Sequence, residues 1–114
     1  MSELRSALLE FRNRVNGDER LKTMNRDWNR VIAIEPTDAG ERVTIRYIEG
    51  MMQVDDEPAP APDITLVAPG GILADVFAGR MSPTEPYLEG TLAIRGSQED
   101  VLRLDFLSLM IWGE

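Results

Sequence analysis

Apolar residues recur at spacings of four, three and four in Leu4, Leu8, Phe11 and Val15, the repeat that lines one face of an α-helix. Ser2 is placed to cap its start and Asn16-Gly17 to stop it. Residues 18–27 are polar and suit a second short helical turn around Leu21 and Met24. From Trp28 the period shortens to two: Trp28, Arg30, Ile32 and Ile34 fall on one side, Val31 and Ala33 on the other. A turn over 36–40 leads into a second alternating run with Val43, Ile45 and Tyr47 on one face, and Glu49-Gly50 turns tightly into residues 51–54. Three antiparallel strands fit this stretch.

Residues 55–62 hold three prolines, each lacking an amide donor, and predict a loop of extended character. Residues 64–67 form a strand. A helix then starts at Gly70 or Gly71, carries Ile72, Leu73, Val76 and Phe77, and closes at Gly79. Residues 81–86 make a proline-marked connection, and 91–95 a short strand between Gly90 and Gly96. Ser97-Gln98-Glu99-Asp100 resembles a capping box, opening a last helix that runs towards Trp112. The order predicts one α+β domain spanning residues 1–114, with a mostly antiparallel sheet.

Charge and composition narrow the function. The 114 residues carry a net charge of −8. Residues 1–30 hold seven basic and five acidic side chains, and the remainder five basic and fifteen acidic. A field of that sign repels phosphate, so nucleic acid is not an expected partner. Arg5, Arg12, Arg14, Arg20, Lys22, Arg26 and Arg30 suggest a basic first segment that could face an anionic surface. The charged start is unlike a signal peptide, and no apolar run approaches the roughly 20 residues of a membrane span. With no cysteine, the expectation is a soluble protein of the cytoplasm without stable membrane insertion.

The chain also has no histidine, which removes the commonest general base and the commonest metal ligand. Its serines sit in no nucleophile elbow, and Lys22 is the only lysine. Asp55, Asp56 and Glu57 lack the spacing of a calcium loop. Asp100 and Asp105 show no acid–base spacing, and Gly70-Gly71 is explained by a helix start without invoking a bound anion. No catalytic residue, metal or cofactor is expected, and the protein is expected not to be an enzyme.

From Asp63 onward the landmarks of a known family follow one another in order. Asp63-Ile64-Thr65-Leu66 looks like a strand motif, and the segment 73–80 like a helix ending in a glycine and a basic residue. Ser82-Pro83-Thr84, Tyr87-Leu88-Glu89-Gly90 and the alternating segment 92–97 come next, before the amphipathic stretch 100–109. Together they resemble the sterol carrier protein two family, whose sterol-binding domain occurs alone in bacteria and fused to enzymes elsewhere. The resemblance implies a five-stranded sheet covered by helices and enclosing an apolar tunnel. It further implies binding of fatty acid, acyl-CoA or sterol-like lipids without chemistry on them.

Residues suited to such a cavity are Met51, Ile72, Val76, Phe77, Met81, Tyr87, Leu88, Leu92, Leu102, Phe106, Leu107, Met110 and Trp112. Each also suits an ordinary core. What favours a cavity is segment 101–112, where only Arg103, Asp105 and Ser108 are polar. A surface helix normally shows one apolar stripe, so the excess predicts a second contact: a ligand, a second copy of the chain or a partner enzyme. A protein–protein interaction module is therefore the alternative to a lipid carrier.

Overall fold

The computed structural model describes residues 3–38, 42–58 and 60–112, without the side chains of Ser108 and Trp112. Ser2 and the Ala39-Gly40 part of the first turn lie outside the described residues. The predicted first helix forms as α1 (Glu3–Asn16), with Leu4, Ala7, Leu8, Phe11 and Val15 buried. The polar segment after it contains a true helix, α2 (Glu19–Met24), capped by Asp18, whose carboxylate accepts from the amides of Arg20 and Leu21. Leu21 is buried and Met24 exposed.

Five strands follow the predicted alternation: β1 (Arg30–Pro36), β2 (Val43–Ile48), β3 (Met51–Asp55), β4 (Ile64–Ala68) and β5 (Ala93–Gly96). They form one sheet in the order β3-β2-β1-β4-β5, antiparallel except for the parallel pair β1–β4. Registers Ile32↔Ile45, Ile34↔Val43, Ile32↔Ile64 and Ile34↔Leu66 put these apolar residues on one face. That face carries the core and the helices. On the outer face, Arg46 pairs with Asp55, and the Thr44 hydroxyl donates to the Glu57 carbonyl at 2.6 Å, tying down the proline-rich loop.

The β2–β3 turn decides which methionine enters the core. Glu49 and Gly50 have φ of 51° and 82°, two successive left-handed residues as a two-residue hairpin loop demands. Any Cβ on Gly50 would lie 2.6 Å from the Lys22 carbonyl oxygen, so the turn also needs glycine to pack on α2. A two-residue turn pairs Ile48 with Met51 and Tyr47 with Met52. Tyr47 points inward, so Met52 is 1% exposed and Met51, the expected cavity residue, is turned outward at 42%.

Asn16, the last residue of α1, secures this edge of the sheet. Its amide donates to the Met52 carbonyl (2.9 Å), and its carbonyl accepts from the Met52 amide (2.7 Å). Backbone groups that an edge strand would leave open are thereby paired. Asn16→Ala is expected to cost about 1–2 kcal/mol, two hydrogen bonds' worth, as a lowered urea midpoint at unchanged m-value.

The second half adds α3 (Gly70–Phe77), α4 (Thr84–Glu89) and α5 (Gln98–Trp112). Helix α4 stands where a plain connection was expected. Pro86 falls in its first turn, where the missing amide has no intrahelical role. At the start of α3 the Gly70 amide donates to the Asp38 carboxylate (2.9 Å), so an acceptor from the chain itself occupies that helix end.

Candidate ligand-binding cleft

At the β4–β5 end of the sheet the helices stand apart and leave a cleft of ≈ 530 Å3. Its floor is Leu66 of β4 with Ile94 and Gly96 of β5, kept on the inner face by the register Leu66↔Ile94 and Ile64↔Gly96. Leu73, Val76 and Phe77 of α3 form one wall, and Val101, Leu102, Leu104 and Asp105 of α5 the facing one. Pro83, Thr84 and Tyr87, with Leu92 and Gln98, complete the rim. Tyr87 and Leu102 are more than half exposed. The expected tunnel thus takes the form of an apolar cleft open to solvent on one side.

Phe77 is braced from behind. Its ring meets Phe11 of α1 edge-to-face, with centroids 5.3 Å apart at 78°. The α5 wall is anchored by a polar network at its first turn. Ser97 caps the helix by accepting from the Asp100 amide (3.1 Å). Asp100 does not complete a capping box; it turns into the protein and is buried. Its Oδ1 accepts from the Trp28 indole N–H (3.1 Å) and from Arg30 Nε (2.9 Å). Burial alone would raise the Asp100 carboxyl, but the Trp28 and Arg30 hydrogen bonds, the Arg30 charge and Ser97 together hold it below its ordinary 3.8.

Arg103, one turn on, donates to the buried Asn25 (2.5 Å), whose amide donates to the Tyr47 hydroxyl (3.4 Å). The guanidinium carbons of Arg30 and Arg103 lie 5.8 and 5.6 Å from the Trp28 ring centroid. Burial pushes the Tyr47 phenol up, partly offset by Asn25 and the Arg103 charge.

These features coincide with a known family. The model of the SCP-2 sterol transfer family matches residues 7–107. The chain belongs to that family. Among solved structures it is similar to UbiJ-SCP2, a ubiquinone synthesis protein, at a TM-score of 0.75 and 19% identity over 95% of this chain and 94% of that one. It is also similar to palmitated SCP2L2 from Aedes aegypti, at a TM-score of 0.67 and 13% identity over 90% of each chain. The sec-alkylsulfatase Pisa1 from Pseudomonas sp. matches 75% of this chain at a TM-score of 0.64 and 13% identity, and the chain spans 14% of that enzyme's length. Identities this low show the fold alone. No curated protein sequence matches the chain.

As in the family pattern the sequence suggested, Asp63 precedes β4. The structure adds the reason: its amide donates to the Val31 carbonyl and its carboxylate accepts from the Val31 amide, both at 2.8 Å, fixing the β1–β4 register. Membership in the SCP-2 family points to apolar lipids as the bound class.

Of the residues expected to form the cavity, Val76, Phe77, Tyr87, Leu92 and Leu102 line the cleft. Seven more stand elsewhere. Met51 is at the opposite edge of the sheet, Leu107 is in the core, and Ile72 packs partly buried against it. Met81 is half-buried beyond α3, Leu88 is 77% exposed, and Phe106 faces solvent. Met110 lies with Ile111 in a separate shallow groove against Asn13 and Arg14. The Trp112 side chain is outside the description. Leu66, Leu73, Ile94, Val101 and Leu104 line the cleft without having been singled out. Sheet parity carried a signal for Leu66 and Ile94, because both alternate with residues that face away from the helices.

The acidic and basic clusters resolve into ion pairs. Asp55 accepts from the Glu57 amide and pairs with Arg46, and Asp56 pairs with Arg5. The Glu57 amide and Arg46 hold the Asp55 carboxyl below its usual range. Arg14, Arg20, Lys22 and Arg30 pair with Glu10, Asp18, Glu19 and Asp100. Among the described residues no group of three acidic side chains could hold a metal ion, and no helix is long and apolar enough to cross a membrane.

Proposed function

We propose that this SCP-2 domain is a cytoplasmic, non-catalytic carrier that holds the apolar body of a fatty acid, acyl-CoA or sterol-like lipid in the β4–β5 cleft. The observation that carries this is the lining: nine of its side chains, from Leu66 to Leu104, are leucine, isoleucine, valine or phenylalanine, around ≈ 530 Å3. Small-molecule sites are mostly apolar concavities of roughly 300–1,000 Å3. The polar side chains there are few: Thr84, Tyr87, Gln98 and Asp105.

A titration with the apolar fluorophore N-phenyl-1-naphthylamine tests the carrier. Saturable enhancement is expected, and Val76→Trp, which fills the cleft, should reduce it while the exposed Leu109→Ala leaves it unchanged. A lipid at about 10 times its Kd should add roughly 1.4 kcal/mol of stability. Absence of both probe binding and any thermal shift with lipids would refute the proposal.

A second reading has its own observation. Leu102, Phe106 and Leu109 form an exposed apolar stripe on α5, which would also suit a second copy of the chain or a partner enzyme. Light scattering separates the two, since an obligate dimer that binds no lipid favours the interaction module.

A further inference from the structure

We infer that the cleft selects lipids whose head group donates hydrogen bonds and carries no negative charge, an alcohol or an amine, over carboxylates and phosphates. This rests on the carrier reading and narrows it: of the lipids named there, it favours the sterol-like alcohol over the anionic fatty acid and acyl-CoA. The described residues that line the cleft include no lysine or arginine, and their single charged group is the carboxylate of Asp105. The arginines on and around the elements that build the cleft are held or turned elsewhere. Arg30 and Arg103 are held by Asp100, Asn25 and the Trp28 ring. Arg80 is bound by Glu3 and Asp75. Arg95 alternates with Ile94 and Gly96 and therefore sits on the opposite face of the sheet.

The helices flanking the mouth add Glu85, Glu89 and Glu99, all exposed. An anionic head drawn to the mouth would lose water, find no cation and meet a field of its own sign. A hydroxyl or ammonium head can donate to Asp105 or the Gln98 carbonyl. A hydroxyl can in addition accept from Thr84 or the Gln98 amide. The apolar body then extends inward over Leu66, Leu73 and Ile94.

The test is competition against bound N-phenyl-1-naphthylamine at pH 8 by three ligands with the same twelve-carbon chain: 1-dodecanol, dodecylamine and dodecanoate. Dodecanol, dodecylamine or both should displace the probe at concentrations about tenfold or more below dodecanoate. Which of the two does so separates a neutral from a cationic head. Asp105→Lys, at an exposed position, should shift the ratio towards dodecanoate by about tenfold, and Asp105→Asn should shift it in the same direction by less. If wild-type protein binds the probe yet takes dodecanoate as well as the other two, the selectivity is overturned while the carrier stands. If both Asp105 variants leave the ratio unchanged, Asp105 does not read the head group and the inference is likewise overturned. Wild-type protein that binds no probe overturns the carrier and this selectivity together.

Discussion

Phe11→Ala is expected to destabilise the protein by about 3–5 kcal/mol and to weaken probe binding, although Phe11 lines no part of the cleft. The side chain is fully buried, so the substitution removes its transfer free energy and leaves a hole that the neighbours fill only in part. One of those neighbours is Phe77, which meets Phe11 edge-to-face at 5.3 Å and presents its other side to the cleft. Relaxation of Phe77 into the hole would deform the α3 wall. Urea unfolding gives the stability change, a large part of the roughly 5–15 kcal/mol available to a domain. Phe11→Leu should recover most of the stability but not the aromatic pair, and a double-mutant cycle with Phe77→Leu should return about 0.5–1.5 kcal/mol of coupling. A loss below about 1 kcal/mol for Phe11→Ala would mean that α1 does not brace the cleft.

The contrast between α1 and the cleft shows what local pattern can and cannot reveal. Leu4, Leu8, Phe11 and Val15 were legible because a single helix face meets a single sheet, and the same holds for Ile32, Ile34, Val43, Ile45 and Tyr47. Their burial follows from period alone. The outward place of Met51 follows from parity carried through a turn: counting the two residues Glu49 and Gly50 puts Met52, and not Met51, beside Tyr47 on the inner face. Helix α4 was hidden by Pro83 and Pro86, read as breakers although one is the N-cap and the other lies in the first turn. On α5 the apolar excess was visible but its direction was not. Leu107 faces the core, Leu104 is buried where core and cleft meet, Val101 and Leu102 face the cleft, and Phe106 and Leu109 solvent. Assigning those directions needs the position of β5 and α1 relative to the helix, which no spacing within 101–112 contains. The family resemblance pointed to a lipid site, but the cleft's head-group chemistry depends on where arginines lie in space.

Asp100 is the residue that sequence concealed most completely, since its partners Trp28 and Arg30 are 72 and 70 positions away. Asp100→Ala is expected to cost about 3 kcal/mol, the low end for breaking a buried ion pair, because Arg30 retains some access to water. The indole N–H of Trp28 and the guanidinium lose their common acceptor in one step. Asp100→Asn keeps an acceptor for Trp28 but removes the charge, and should cost less. The two proteins also differ in acid. The native carboxyl of Asp100 titrates below 3.8, whereas in the unfolded chain it titrates near its ordinary value. Its contribution is therefore complete above about pH 5, where both states are ionised, and disappears as pH falls through 3.8 towards the native value. The stability gap between wild type and Asp100→Asn should stay constant from about pH 5 to 8 and narrow below pH 4 in urea titrations. A gap that is flat down to pH 2 would show that Asp100 is not ionised against Arg30. Because Val101, Leu102, Leu104 and Asp105 follow directly on α5, loosening its first turn also moves the wall of the cleft. Asp100→Ala should therefore raise the Kd for N-phenyl-1-naphthylamine at temperatures where the protein remains folded, which ties an anchor outside the cleft to the grip on its ligand.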